Sequence, residues 1–558
     1  MNFQDRKSFF AAFLIIALGG ALFYAVRSFL PQRLFSEKAE SESIVVDRLM
    51  LQAMSNEGDL VLEDSLGTTQ DTLKTAPIPV VNSDKKPIVY TPARLMEIAD
   101  FEFGKPLPAD STGVIMLPKP MQLKGYKGAE HLSSFYKKLA VLEQDSSKTV
   151  RIAYYGDSMI DGDLIVQDLR SALQNRFKGR GVGFVSMESE SARSRYSVKH
   201  KTTGNWKQHS FMKSVSDSLF YGVNGAVFYA IDSTSQVSFK ASGIKNAYRL
   251  NQPRLFYGAG NDSAQLHYTV NKDTVTQNIA LNGTKNLNTV SLSLDQLKSL
   301  KLNFFNAQSV PLYGLDFFNN EGIVIDGFSN RGNSGLPLSL LNTGFIQAFN
   351  KELQYDLVVL QFGANVLSTQ SQTFRWYSRR MARVIEHVKQ LYPGADILII
   401  GTADKGTKTG DLVQTDTTVV RLLRSQQEYA AQTGSGFLSL FHLMGGVNSM
   451  TAWEQHKLAN ADFTHFSPKG SRVMGKLIYD ELLRGYDAAM KAFAKAEQLK
   501  KSLSLLKEKK KENELTHAAE TRWKNTQVRS DTISKKKAEV LPLKAIEMRK
   551  DSLKTTQK

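Results

Sequence analysis

The chain has 558 residues, of which 42% are hydrophobic and 10% aromatic, enough for more than one packed core. It has no cysteine, which excludes disulfides, thiolate catalysis and cysteine-based zinc sites. The formal charge of +17 does not point to nucleic acid, because Lys491 to Lys558 hold 19 Lys+Arg against 9 Asp+Glu and no nucleic-acid-binding motif accompanies that basic tail.

Residues 1–8 form a short polar stub. Phe9 to Val26 is a run of 18 residues without a charge, preceded by Arg6 and Lys7 and followed by Arg27. Carried on to Leu30, the span 9–30 is long enough to cross a bilayer as a helix. It lacks a good Ala-x-Ala cleavage site, which favours an uncleaved transmembrane anchor over a signal peptide. Residues 31–128 read as a tether, with Pro77, Pro79, Pro87, Pro92, Pro106, Pro108, Pro118 and Pro120 among mostly polar residues.

The pattern changes at about residue 129. In His131 to Gln144, Leu132, Phe135, Tyr136, Leu139 and Leu142 fall on one helical face. Val150 to Tyr155 reads as a strand, and a helix carrying Ile165, Leu169 and Leu173 follows it. Further strands are expected at Gly322 to Asp326, Asp356 to Gln361, Asp396 to Ile400 and Gly436 to Phe441, with a helix over Ser378 to Leu391. Strands alternating with helices predict an α/β domain with a parallel sheet covered on both faces, split into 129–189 and 321–486. Between them, 190–320 alternates apolar and polar residues in Gln265 to Val270, Thr274 to Leu281 and Thr289 to Leu294, and reads as an inserted antiparallel β-sandwich. Trp206, Tyr221, Tyr257 and Tyr268 of this insert are sugar-stacking candidates, although such residues more often fill a core. The tail, 487–558, starts as a helix (Ala488 to Leu506) and is expected to be disordered beyond about Lys509.

Four short segments carry chemistry. Gly156-Asp157-Ser158 follows the first strand, where open α/β sheets place their ligands. Ser329-Asn-Arg-Gly332 and Gly363-Ala-Asn365 also sit at strand exits; Gly332 offers a backbone donor and Asn365 a side-chain amide. In Asp462-Phe-Thr-His465, a carboxylate three residues before an imidazole can hold its Nδ1–H and leave Nε2 to take a serine proton. Taken singly, each has an ordinary reading as a turn or loop.

In their order and their strand-end settings, these segments resemble the four sequence blocks of the SGNH/GDSL hydrolases. Two departures are Met159, where Leu gives the family its GDSL name, and Val366, where many members have Asp. The resemblance implies a flavodoxin-like three-layer α/β sandwich with no cofactor and no metal. It implies Ser158 as nucleophile, His465 as base, Asp462 orienting the histidine, and an oxyanion hole from the Ser158 and Gly332 N–H groups and the Asn365 side chain. Val150 to Ser158, Leu173 to Phe177 and Gly179 to Phe184 are similar to the opening of bacterial peptidoglycan O-acetylesterases, in which a carbohydrate-binding-like β-sandwich interrupts the hydrolase. That likeness implies removal of O-acetyl groups from a cell-envelope glycan, by a domain on the periplasmic side of the bacterial inner membrane with residues 1–8 cytoplasmic. Two other readings stay open: an O-acyltransferase working with a membrane acyltransferase partner, and a non-catalytic glycan-binding protein.

Overall fold

The computed structural model describes residues 47, 49–50, 52, 116–125, 127–189, 195–213, 219–271, 273, 275–292, 297–367, 371, 373–410 and 412–552. The anchor at 9–30 and most of the tether lie outside these residues. Among the described residues, no helix is long and apolar enough to cross a membrane. The chain divides into two compact units, Met1–Glu481 and Leu482–Lys558.

In chain order the first strands are β1 (Thr149–Gly156), β2 (Gly179–Ser186), β3 (Val198–Thr203), β4 (Trp206–Ser210), β5 (Ala226–Ala230), β6 (Gln236–Ala241), β7 (Arg254–Tyr257), β8 (Gln265–Val270) and β9 (Gln277–Ala280). They continue as β10 (Asn288–Ser291), β11 (Ser299–Phe305), β12 (Leu312–Ser329), β13 (Leu357–Gln361), β14 (Asp396–Gly401), β15 (Gly406–Thr409), β16 (Leu412–Thr415) and β17 (Gly436–Ser439). The helices are α1 (Ser133–Gln144), α2 (Val166–Phe177), α3 (Thr343–Leu353), α4 (Ala364–Leu367), α5 (Arg375–Leu391), α6 (Thr417–Gln432), α7 (Leu440–Met444), α8 (Ser449–Gln455) and α9 (Pro468–Ser552).

The second half of β12, then β1, β13, β14 and β17, lie side by side in that order, and each adjacent pair is parallel. Counting only these strands along the chain, the order is 2-1-3-4-5, the flavodoxin-like arrangement, with its switch point between β1 and β13. Ala153, Tyr155, Val358, Leu360 and Ile399 pack with residues of α3, α5 and α6 in one apolar core. These strands are apolar on both faces, as a sheet covered on both sides requires.

The insert has the expected two antiparallel layers, but it is not a separate sandwich. One layer is the five-stranded sheet β3-β6-β11-β8-β9. The other, with β4, β5, β7 and β10, is continuous with the parallel sheet through β12. The first half of β12 pairs antiparallel with β7, and its second half pairs parallel with β1. Val182 and Val185 of β2 belong to the sandwich core together with Phe317 of β12, so the insert's packing extends past its expected start at 190. Tyr257 and Tyr268 are in that core, Tyr221 is buried in the core of the parallel domain, and Trp206 packs edge-on against Phe304. All four candidate sugar-stacking aromatics therefore pack with core residues.

β12 bends back between its two halves. Its register to β2 shifts on either side of Phe318, and Asn320 and Gly322 take positive φ. Asp316 and Asp326 would stand about 33 Å apart on a straight strand. Both nevertheless hold one buried guanidinium: Arg151 of β1 donates to Asp316 at 2.7 and 3.1 Å and to Asp326 at 2.8 and 3.1 Å. Tyr355 Oη and the Phe184 N–H complete the shell of Asp326, at 2.5 and 2.9 Å.

Two expectations need correction. Part of the tether is packed: Met50 lies in the apolar core, and the Met121 N–H donates to the His442 carbonyl at 2.8 Å. The tail is helical well beyond Lys509, since α9 runs to Ser552. Every residue from 501 to 537 is exposed, so no core holds this stretch. Its Lys, Glu, Ala, Leu and Gln are strong helix formers, and pairs such as Glu497 and Lys501 one turn apart add to that preference. Low hydrophobicity signalled disorder because it forbids a core, and a helix of this composition does not depend on one.

The Arg151 cluster generates a prediction. Arg151→Met should lower unfolding stability by about 3–5 kcal/mol, because it removes the shared counter-charge of two buried carboxylates. Urea denaturation of the purified chain would measure this, and a loss under about 1 kcal/mol would show the cluster to be dispensable.

Candidate active site

Three strand ends converge at the switch point. Gly156 pairs with Ser329 on one side and Gln361 on the other, so the residues leaving β1, β12 and β13 emerge together. Asp157 and Ser158 leave β1. A six-residue 3-10 turn, Ser158–Asp163, then intervenes, and α2 begins only at Val166 rather than directly after the serine. Leu164 to Val166 forms a γ-turn: Ile165 sits at φ 65° and ψ −56°, and the Val166 N–H donates to the Leu164 carbonyl at 2.7 Å. This is the rare, strained form of that turn, here on a buried β-branched residue close to Ser158.

Ser158 Oγ lies 2.8 Å from His465 Nε2, and His465 Nδ1 lies 2.7 Å from Asp462 Oδ2. The other Asp462 oxygen accepts the backbone N–H groups of Thr464 and His465, both at 3.0 Å. Burial alone would raise the Asp462 carboxyl, but these hydrogen bonds, led by the imidazole, bring it down to about 2. The hydrogen bond to Asp462 raises His465 above its ordinary 6.5, against the opposing effect of its partial burial.

The other expected residues border the same cleft. Gly332 has φ 79°, at the third position of a turn closed by the Asn333 N–H on the Asn330 carbonyl at 3.2 Å. That position of a type II turn favours glycine. The Asn365 amide donates to the Asn333 carbonyl at 3.1 Å and to Asp157 Oδ2 at 3.4 Å. Ser158, Gly332, Asn365, Asp462 and His465 thus all line one open cleft of about 910 Å³. Gln208, Ser210 and Asn224 of the insert line it as well. No cluster of metal-ligating side chains occurs among the described residues.

Two carboxylates near the site had no role assigned from the sequence. Asp157 is buried, and its Oδ1 accepts the Met159 N–H at 2.9 Å. Burial raises its carboxyl to about 6, although the Met159 N–H, the nearby His465 and the Gly363 and Ala364 N–H groups oppose the rise. Asp47, in the stretch read as a tether, is buried and accepts the Ser334 N–H at 2.7 Å. Asp157 stands inside the Gly156-Asp157-Ser158 segment but its contact with Asn365 is long-range, and Asp47 has no local signal because its partner Ser334 is far away in the chain.

Residues 305–473 match the model of the GDSL-like Lipase/Acylhydrolase family. The matched span holds Gly332, Asn365, Asp462 and His465, and the fold brings Ser158 to them across the insert. That part of the chain is similar to the GDSL-like lipases and acylhydrolases. The fold of the chain is similar to that of a solved peptidoglycan O-acetylesterase, with 21% identity and a TM-score of 0.55, covering 65% of this chain and 99% of the other. A family two carbohydrate esterase from Cellvibrio japonicus also matches, at 10% identity and a TM-score of 0.23, over 55% of this chain and 98% of the other. No curated protein matches the sequence.

The influence of Asp157 on His465 can be measured. Ionised Asp157 favours the imidazolium, so Asp157→Asn should lower the pH at which His465 titrates. Following the His465 imidazole by NMR would test this, and an unshifted titration would mean that the two groups do not sense each other.

Proposed function

We propose that the chain is a serine esterase that removes O-acetyl groups from a cell-envelope glycan, with peptidoglycan the leading candidate, through an acyl-serine intermediate. The observation that carries this reading is the continuous chain Ser158 Oγ, His465 and Asp462 at the floor of a cleft walled partly by polar side chains of the insert. His465 takes the Ser158 proton as Oγ attacks the acetyl carbonyl, and ionised Asp462 stabilises the imidazolium. The carbonyl oxygen, now negative, is received by the Ser158 and Gly332 N–H groups and the Asn365 amide. As the ester C–O bond breaks, His465 returns the proton to the departing sugar oxygen. Water, deprotonated by the same histidine, then attacks acetyl-Ser158 and releases acetate. These steps use only side chains and backbone of this protein. In this reading residues 9–30 anchor the chain in the bacterial inner membrane and the hydrolase works on the periplasmic side.

The test is acetate release from O-acetylated peptidoglycan. Ser158→Ala should reduce it by at least about 10³-fold, and Asn365→Ala should lower kcat by about 10²–10³-fold. An active Ser158→Ala variant would rule out the mechanism. Release that requires an added sugar acceptor would favour acyl transfer over hydrolysis.

The pH profile follows from the charge state of His465. Only neutral imidazole can accept the serine proton, and Asp462 raises the value at which the ring becomes neutral. kcat/KM should therefore rise with pH and level off above 6.5. Asp462→Asn removes that support, so its residual activity should show the rising limb at lower pH. A limb in the same place in both proteins would disconnect His465 from the profile.

A further inference from the structure

The loop that carries Gly332 is held from the N-terminal part of the chain. Asn333 and Ser334 are both buried, and one peptide group joins them. Its carbonyl, on Asn333, accepts the Asn365 side-chain amide at 3.1 Å. Its N–H, on Ser334, donates to Asp47 Oδ2 at 2.7 Å. One rigid plane therefore links Asn365 to a carboxylate that precedes Ser334 by 287 residues. Asp47 is itself fixed. Its other oxygen accepts the Met50 N–H at 2.7 Å, and the Met50 side chain lies in the apolar core of the parallel domain. Beyond the peptide, Tyr377 Oη donates to the Ser334 carbonyl and the Gly335 N–H donates to Asn333 Oδ1, both at 2.7 Å.

Burial raises the Asp47 carboxyl above its ordinary value, and the hydrogen bonds from Ser334 and Met50 oppose that rise. Without this acceptor the Ser334 N–H would be left buried and unpaired, which costs more than the net value of one hydrogen bond. The peptide can relieve that cost by turning about its flanking φ and ψ bonds, and the turn carries the Asn333 carbonyl away from Asn365. A carboxylate on the N–H also polarises the peptide and makes its carbonyl the better acceptor. In the esterase reading, one Asn365 hydrogen is spent on this carbonyl and the other receives the oxyanion. The aim of the second depends on the first.

We propose that Asp47 is a positioning residue of the oxyanion hole, which sets the orientation of the Asn365 amide through the Asn333–Ser334 peptide. The stretch around Asp47 is then a working part of the site and not only a spacer. The inference rests on the esterase reading for the role of Asn365. It adds a residue that does not itself line the cleft.

The test uses the full chain with Asp47→Ala, Asp47→Asn and Asn365→Ala, singly and with each Asp47 change combined with Asn365→Ala, each checked for folding by circular dichroism. The substrate is para-nitrophenyl acetate, a small ester that needs no glycan contact. Asp47→Ala should lower kcat by about 10-fold or more with KM changed by less than about 2-fold, the pattern of a lost transition-state interaction. In the Asn365→Ala background the same change should cost less than about 2-fold, because the group through which Asp47 acts is already gone. An unchanged kcat in Asp47→Ala would overturn the proposal. So would losses that multiply, since they would come from a loosened fold.

If Asp47→Ala does not fold, Asp47→Asn decides by the same comparison. It turns a donor toward the Ser334 or Met50 N–H, so it should lose about 3-fold in kcat, and again only where Asn365 is present. A second readout does not need turnover. With asparagine selectively isotope-labelled, the Asn365 side-chain amide is the NMR signal missing from Asn365→Ala, and it should be displaced in both Asp47 variants. If the wild type hydrolyses no acetyl ester, the esterase reading fails and this signal alone decides whether Asp47 sets the amide. A signal that stays in place overturns the proposal.

Discussion

A single buried guanidinium fixes the geometry on which the site depends. Arg151 of β1 reaches Asp316 and Asp326, which belong to opposite halves of β12. It therefore holds the strand that joins the antiparallel and parallel parts of the large sheet in its bent form, and ties it to the strand that ends at Ser158. From that clamp the register runs to Gly156 beside Ser329, and to Gln361 on the other flank. Three loops from distant parts of the sequence then have nowhere to emerge but together. A buried ion cluster is often no more stabilising than an apolar replacement, and its value here is in specifying one arrangement.

The electrostatics of the site separate two carboxylates by environment. Asp462 is partly exposed and accepts three hydrogen bonds, so it stays ionised down to about pH 2. Asp157 is buried and rises to about 6. Such divergence between neighbouring titratable groups is a common sign of divided roles. Here one carboxylate faces the imidazole directly, while the other holds together the residue after Ser158 and the amide of Asn365.

Much of this was legible in the sequence because it is local. Asp462 and His465 are three residues apart, so their pairing depends on one loop. The strand exits carrying Ser158, Gly332 and Asn365 are marked by apolar runs followed by Gly, Asn or Ser. The parallel strands were visible as short apolar blocks between helices. Long-range features were not. Nothing in Leu312 to Ser329 announces that one strand joins two sheets, since alternation reads the same on either side of its bend. The packing of Met50 and Asp47 inside a stretch read as a spacer depends on distant partners, as does the contact of Asp157 with Asn365. The exposed helix beyond Lys509 was misread for another reason: its composition rules out burial, and burial was taken as the condition for order.

The shared strand has a consequence for how the molecule could change over time. A domain on a flexible linker can be exchanged or lost without disturbing its host. One layer of this sandwich is continuous with the parallel sheet, so excising it would remove ladder partners from β12 and expose an apolar surface. The distance from Ser158 to the far wall of the cleft is accordingly set by hydrogen-bonded backbone, like the gap of a locked caliper. Accommodating a bulkier ligand would call first for new side chains along the jaws.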